Sequence, residues 1–165
     1  MSTLSLVITS AIYTAALTLV YVALVAVGLL LIWIDIHEHR LPNRIVIPAT
    51  MSLLVLIGLD AVVTGQQSSA YRGLIGLLAL GGFYYFLRML SRGGIGGGDV
   101  KLAAGIGLML AWHGWLPLLV GAAAAFVVGA AFALFLMMRH RADKNTMIAF
   151  GPWMIMGAAI GIAAA

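Results

Sequence analysis

Two acidic residues, Asp35 and Asp99, each lie where a long apolar stretch meets polar residues. An ionisable group at such an edge is energetically costly in a membrane and is therefore a candidate for function. When two carboxylates share a site, their repulsion raises the pKa of one, which leaves one base and one acid. The base activates a water molecule, and the acid protonates a carbonyl oxygen or a leaving amine. The pair suits peptide hydrolysis; the alternative is that each acid only caps a helix or marks the membrane interface.

The composition indicates an integral membrane protein. Of 165 residues, 64% are hydrophobic and 8% are charged, and the mean hydropathy is +1.13, whereas soluble domains contain about 25% charged residues. At about 20 residues per span, the length accommodates roughly six helices. We therefore predict an all-α, polytopic membrane helix bundle of about six transmembrane helices, forming one transmembrane domain over residues 1–165. The first apolar run is too long for the core of a signal peptide, so we interpret it as a retained helix.

The residue inventory excludes several classes of site. The chain has no cysteine, which rules out disulfides, thiolate metal sites and a cysteine nucleophile. Nine Lys and Arg residues stand against five acids, but they are too few and too dispersed to form a surface for nucleic acid. The lipid bilayer is the expected environment.

Apolar stretches and their polar interruptions predict the helices. The first stretch ends at Asp35, and Pro42 disfavours helix at the residue before it and is suited to open the next helix. The fourth helix is expected to begin at Asp99 and to be short, which requires protein or water to cover the unwound backbone before it. The predicted spans are about 5–34, 43–63, 71–90, 99–112, 117–138 and 147–165.

The segment before Asp99, residues 93–98, has the sequence GGIGGG. Glycine has no Cβ, so it permits unusual backbone angles and the close approach of another chain. We predict that Gly96, Gly97 and Gly98 form an active-site loop with Lys101, and that this loop lets extended substrate backbone reach Asp99. Gly98, next to the acid, is expected to tolerate alanine least.

The basic residues predict the orientation in the membrane. Eight of the nine lie in the first, third and fifth connections, and only Arg72 lies on the other side, which favours a cytoplasmic location for those three connections. Asp35 and Asp99 would then share the cytoplasmic face of the inner membrane. The eight residues are Arg40, Arg44, Arg88, Arg92, Lys101, Arg139, Arg141 and Lys144.

Three motifs together resemble those of the type IV prepilin peptidases, a family of polytopic membrane aspartic proteases with a Gly-x-Gly-Asp motif. They are DIHEHRLPN at residues 35–43, GGGDVKL at residues 96–102 and FGP at residues 150–152. A Gly-x-Gly-Asp motif alone is weak evidence, but an acid followed by Arg-Leu-Pro and then by Gly-Asp-Val-Lys-Leu is specific. The resemblance covers essentially the whole chain, with a similar order of spans.

The resemblance implies that Asp35 and Asp99 are the catalytic pair of an aspartic endopeptidase that removes the leader of type IV prepilins or pseudopilins. No cofactor is expected. Larger members of the family have an N-terminal cytoplasmic domain with paired cysteines and an N-methyltransferase activity. This sequence has neither that domain nor any cysteine, so it resembles the short form that serves tight-adherence (Flp-type) pili.

Four residues near the two acids are candidates for substrate binding: Arg40, Pro42, Arg88 and Arg92. Together with Lys101, the arginines of the third connection either contact an acidic residue of the substrate or only set the orientation of the protein in the membrane.

A metal site and a nucleotide site fit the sequence less well. Asp35, His37, Glu38 and His39 contain ligand types, but alternate residues do not share a helix face, and the Glu-x-x-His helix of zincins is missing. Gly94-x-Gly96 follows no predicted strand and precedes no Gly-Lys-Ser/Thr, as a phosphate loop requires. We expect no metal.

The alternative from another functional class is a small transporter that uses broken helices and buried acids near the membrane midplane. Here the acids lie at one membrane edge, and the two halves of the chain show no repeat. An endopeptidase is therefore the favoured function.

Overall fold

The computed structural model of the chain describes residues 3–91, 95–139 and 149–165. Within those ranges the regular structure consists of six α-helices, which confirms the predicted all-α class. The helices are α1 (Thr3–Glu38), α2 (Asn43–Thr64), α3 (Gln67–Leu90), α4 (Gly97–His113), α5 (Trp115–Met138) and α6 (Gly151–Ala163).

The chain divides into two compact units, Met1–Leu30 and Leu31–Ala165. The first unit contains the greater part of α1. The second unit contains the last residues of α1 and the other five helices. Asp35 and Asp99 both belong to this second unit.

In the described part of the chain, four helical segments are long and apolar enough to cross a membrane, and the chain is therefore a multi-pass membrane protein. Helix α6 is a shorter apolar helix of 13 residues. Helix α4 has 17 residues and is not one of these four long apolar segments of the described residues. The four segments are Ala11–Glu38, Asn43–Thr64, Gln67–Leu90 and Trp115–Met138.

Helix α4 forms the core of the second unit, where it contacts α2, α3, α5 and α6. Small residues let its backbone approach that of α3: a Cβ placed on Gly81 would lie 2.9 Å from the Cβ of Ala104. Close approach through small residues is typical of helix pairs in membranes. Farther along, Gly73 approaches Leu108, so α3 and α4 run antiparallel.

The contacts between α2 and α4 show that these helices run parallel. Leu41, just before α2, lies against Gly98, and Thr50 of α2 lies against Gly105. Helices α5 and α6 are antiparallel, since the start of α5 approaches the end of α6. As a result, the ends of α1 and α3 and the starts of α2 and α4 share one end of the second unit.

Two helix boundaries differ from the prediction, and both concern the acidic residues. Helix α1 does not end before Asp35 but continues to Glu38, so Asp35 lies inside a helix. Helix α4 begins at Gly97 rather than at Asp99. The carboxylate of Asp99 accepts a hydrogen bond from the backbone of Gly96, which satisfies a free amide at the helix start. Gly97 and Gly98 are therefore helical and do not belong to an unwound loop.

The remaining boundaries differ by a few residues. Helix α3 begins at Gln67 and α5 at Trp115, both slightly earlier than predicted. Helix α6 begins at Gly151, later than predicted, and residues 147 and 148 of the predicted sixth span lie outside the described residues. Pro42 is the N-cap of α2, with φ −71° and ψ 124°, so it precedes the helix rather than opening it.

Candidate active site

Asp35 is a buried carboxyl near the end of α1, with 3% of its surface exposed. Its Oδ2 accepts a hydrogen bond from the backbone N–H of Gly151, at 2.9 Å. A buried carboxylate needs such donors, because removal from water without compensation costs several kcal/mol. The first residue of α6 therefore belongs to the surroundings of Asp35.

Asp99 lies in the first turn of α4 and is half-buried. Its Oδ2 accepts a hydrogen bond from the backbone N–H of Gly96, at 3.1 Å. This is the carboxylate half of a capping box, in which the third helical residue reaches back to the N-cap. A carboxylate in the first turn is also stabilised by the positive end of the helix dipole.

The electrostatics of Asp99 connect it to Asp35. Burial raises the pKa of Asp99 to about 6, and the negative charge of Asp35 acts in the same direction. The Gly96 amide and the Arg88 guanidinium act in the opposite direction and lower this pKa. Asp35 and Asp99 therefore lie near the same end of the second unit, where Gly98 of α4 packs against Leu41 of the link that follows α1. The arrangement can supply one ionised and one protonated carboxyl at mildly acidic pH, around the pKa of Asp99.

The glycines before Asp99 allow close contacts within the protein. A Cβ on Gly98 would lie 2.6 Å from the Cβ of Leu41 and 2.7 Å from its carbonyl oxygen. A Cβ on Gly97 would lie 2.7 Å from Nη1 of Arg88. Gly98 therefore packs α4 against the link between α1 and α2, because Leu41 occupies the space that a side chain at position 98 would need.

The structure also locates the other predicted site residues. The ammonium of Lys101 donates a hydrogen bond to Oδ1 of Asn43 at 2.8 Å, which joins the starts of α4 and α2. Arg40 is exposed and Pro42 is half-buried. Arg88 lies beside Gly97 and acts on Asp99. Arg92 lies outside the described residues.

The histidines near Asp35 do not assemble a metal site with it. The Nδ1 of His37 is 2.7 Å from the carbonyl oxygen of Trp33, one turn earlier in α1, and the His37 ring stacks on that of Trp33. In the ranges that the structure describes, no three His, Asp or Glu residues are grouped so that they could hold a metal ion.

An aromatic cluster next to the acids was not predicted from the sequence. The rings of Tyr84, Phe126 and Phe150 are in mutual contact, with centroid distances of 5.5 Å for Tyr84–Phe126, 6.1 Å for Tyr84–Phe150 and 5.5 Å for Phe126–Phe150. These residues come from α3, α5 and the N-cap of α6. The cluster therefore fixes the start of α6, which holds Asp35.

The role of Gly151 was also not predicted, although the motif FGP at residues 150–152 contains a usable signal. The first N–H groups of a helix have no partner within the helix, and a proline in the first turn removes one of them, so the N–H of the preceding glycine is available to another group. The sequence alone does not say which side chain would accept that hydrogen bond.

Comparison with known proteins identifies the family. The model of the type IV leader peptidase family matches residues 22–138, a stretch that includes Asp35 and Asp99. No solved structure matches the chain.

Several relatives are similar over most of this chain, and three of them are each named prepilin leader peptidase/N-methyltransferase. The relative from Stutzerimonas stutzeri is 30% identical over 73% of this chain and 41% of its own length. The relative from Dickeya chrysanthemi is 33% identical over 78% and 44%, and that from Dichelobacter nodosus is 32% identical over 79% and 46%. The chain thus spans less than half the length of these relatives. Because the family model covers most of the chain and both acids, the chain belongs to the type IV leader peptidase family.

Proposed function

We propose that this chain is a membrane-embedded aspartic endopeptidase that cleaves the leader peptide from type IV prepilin-like substrates, with Asp35 and Asp99 as its catalytic pair. The observation that carries the proposal is that the start of α4 with Asp99 packs against the link that follows Asp35, through the contact of Gly98 with Leu41, and the charge of Asp35 contributes to raising the pKa of Asp99. Family membership supports the reaction class, since the matched stretch includes both acids.

The two carboxyls suffice for peptide hydrolysis. The ionised carboxylate takes a proton from a water molecule, whose oxygen attacks the carbonyl carbon of the scissile peptide bond. The protonated carboxyl gives its proton to the carbonyl oxygen, so a tetrahedral intermediate forms. When this intermediate collapses, the C–N bond breaks, the carboxyl that took the water proton gives it to the leaving amine, and the other carboxylate takes a proton back from one of the two hydroxyl groups. One water is consumed, and the pair again holds one proton.

We place the reaction at the cytoplasmic edge of the inner membrane. Arg44, Arg88 and Lys101 belong to the starts or ends of helices at the same end of the second unit as the acids. Arg72 belongs to the other end, where its guanidinium donates to the carbonyl oxygens of Ala111 and Trp112 at 2.6 and 2.7 Å. This distribution supports a cytoplasmic location for the acids, because basic residues accumulate on the cytoplasmic side. Arg92, Arg141 and Lys144 lie outside the described residues.

The proposed substrate is a single-span prepilin or pseudopilin whose basic leader stays in the cytoplasm and whose apolar helix lies in the bilayer. The names of the relatives support a prepilin as substrate. Within this class we propose Flp-type prepilins, on the strength of the short-form resemblance of the sequence.

The test is incubation of the purified protein in detergent with two substrates, a Flp-type prepilin and a prepilin of another type IV pilus. Mass spectrometry is expected to show a shortened Flp-type product, and cleavage is expected to persist in EDTA and after treatment with thiol-blocking reagents. Absence of a shortened product from both substrates would contradict the endopeptidase. Cleavage of only the second substrate would contradict the Flp assignment. Loss of cleavage in EDTA and its return with zinc would contradict catalysis by carboxyls alone.

A further inference from the structure

The buried carboxylate of Asp35 is held by a residue 116 positions away in the chain, the backbone N–H of Gly151. Gly151 is itself buried and is the first residue of α6. The hydrogen bond therefore joins the end of one helix to the start of another inside the second unit. Neither residue can move appreciably without changing this contact.

The hydrogen bonds at the start of α6 explain why this particular N–H is available. Pro152, the next residue, has no N–H. The N–H groups of Trp153 and Met154 both donate to the carbonyl oxygen of Phe150, at 3.1 and 3.2 Å. The N–H of Gly151 is thus the donor that the start of α6 directs to Asp35, with the positive end of the helix dipole behind it.

The absence of a side chain at Gly151 is also required by the geometry. A Cβ at this position would lie 2.6 Å from Oδ2 of Asp35 and 3.2 Å from its Cγ. Such a contact is far shorter than van der Waals distance, so the Asp35 carboxyl would have to move. Because Asp35 is 3% exposed, its carboxyl has little room in which to do so.

The position of Gly151 is set by the residue before it. Phe150 is the N-cap of α6, and its ring contacts those of Tyr84 and Phe126. Tyr84 is 1% exposed, and it lies near enough to Asp99 to interact electrostatically with that carboxylate. The aromatic cluster therefore connects the start of α6 to the surroundings of both acids.

We infer that Gly151 is a positioning residue for Asp35: its N–H orients the carboxylate, and its lack of a Cβ leaves the carboxylate the space it occupies. The inference rests on the proposed function and extends it to α6, which lies beyond the stretch that the family model matches. Phe150 supports this role by fixing the start of the helix.

The first experiment compares Gly151→Ala with Gly161→Ala in cleavage of a purified prepilin with a basic leader. Gly161 lies at the far end of α6, where a Cβ would lie 2.5 Å from the carbonyl oxygen of Pro117. This control disturbs the packing of α6 without contacting Asp35. Rates are expressed per folded molecule, measured by thermal unfolding and size-exclusion chromatography.

Gly151→Ala is expected to lower kcat by about 100-fold with little change in KM, because displacement of a reacting group by about 1 Å has an effect of this size. The acid limb of its pH–rate profile is expected to differ from that of the wild type, because the added Cβ displaces the Asp35 carboxylate from the N–H of residue 151. Gly161→Ala is expected to reduce thermal stability but to leave kcat and the pH profile near those of the wild type.

A second pair of variants keeps the test decisive if Gly151→Ala does not fold. Phe150→Leu removes the ring that anchors the start of α6. Phe132→Leu removes a ring of α5 that packs on Trp153 of α6, with the ring centroids 4.5 Å apart. Phe150→Leu is expected to lower kcat by about tenfold, and Phe132→Leu by less than about twofold.

The inference is overturned by near-wild-type kcat in folded Gly151→Ala, by equal losses in Gly151→Ala and Gly161→Ala, or by equal losses in the two Phe variants. These outcomes leave the proposed function intact if the wild-type protein cleaves the prepilin. Absence of cleavage by the wild type overturns the proposed function and the inference with it.

Discussion

Asp35 and Asp99 are chemically identical, but the protein supports them in opposite ways. Asp99 accepts a hydrogen bond from Gly96, three residues earlier in its own helix turn. Asp35 accepts one from Gly151, 116 residues later in another helix. Asp99 is half-buried, whereas Asp35 is 3% exposed. One acid is held by local backbone geometry and the other by tertiary packing.

This difference indicates which changes should affect which acid. A local cap forms whenever the helix forms, so Asp99 depends mainly on residues 96–99 and on the contact of α4 with Leu41. Asp35 depends on the packing of α6, and therefore on residues far from it in the sequence. Variants near each acid can separate these two kinds of support.

The largest effect is expected from removal of either acid. Asp35→Asn and Asp99→Asn should each lower cleavage by about 10²- to 10⁴-fold, since proton transfer by each carboxyl is lost. The double variant should cleave no more slowly than the less active of the two single variants, because the effects of substitutions in groups that act as a unit are not additive. The measurement is cleavage of a prepilin at equal amounts of folded protein. Near-normal activity of either single variant would show that the two acids are not a catalytic pair.

A smaller effect is expected from Gly98→Ala, which tests the packing that supports Asp99. Its Cβ would lie 2.7 Å from the backbone carbonyl oxygen of Leu41, and backbone cannot rotate away as a side chain can. The start of α4 must shift, so we expect about a 100-fold loss of cleavage. Gly97→Ala should be milder, because its new neighbour is the flexible end of Arg88.

The matched control for Gly98→Ala is Gly82→Ala, a helical glycine of α3 with no atom within 4 Å of an added Cβ. This substitution should be neutral or slightly stabilising, since alanine favours helix over glycine by about 1 kcal/mol. Similar cleavage rates for Gly98→Ala and Gly82→Ala would show that the close contact with Leu41 is unimportant.

The same contrast explains how much of the site could be predicted from the sequence. The all-α class and the candidate role of Asp99 follow from hydrophobic runs and from a glycine motif beside an acid, which are local patterns. The start of α4 at Gly97 was missed because the carboxylate of Asp99 caps the helix earlier. The hydrogen-bond donor to Asp35 was missed because no local sequence pattern specifies which side chain accepts the hydrogen bond from the N–H of Gly151. The contact of Leu41 with Gly98 was likewise not predicted from the sequence, and the access of substrate backbone to Asp99 stays a prediction.

A pH-dependent effect is expected from Arg88→Gln. The pKa of Asp99 is raised to about 6 by burial and by Asp35, and the Arg88 guanidinium lowers it. The pair must retain one proton, so cleavage should fall as pH rises above the higher of its two apparent pKa values. Loss of the Arg88 charge removes an influence that lowers the pKa of Asp99, so this descending limb should move to higher pH, by a few tenths to about one unit.

The control for Arg88→Gln is Arg44→Gln, which removes the same charge from an exposed position at the same end of the second unit. Its descending limb should coincide with that of the wild type. If both variants move the limb equally, the effect comes from net charge and not from the position of Arg88 beside Gly97.

The smallest effect is expected from Lys101, although the sequence placed this residue in the active-site loop. Its ammonium donates to Oδ1 of Asn43 at the start of α2, so it ties together two helix starts rather than contacting either acid. An exposed polar contact of this kind contributes less than about 1 kcal/mol. Lys101→Met and Asn43→Ala should therefore each lower thermal stability slightly and cleavage by less than about fivefold, and the double variant should equal the larger single effect. Additive losses would show that the two residues act separately. A loss of cleavage in Lys101→Met as large as that in Asp99→Asn would place the ammonium in the reaction itself, and the support of Asp99 would then extend beyond its own helix turn.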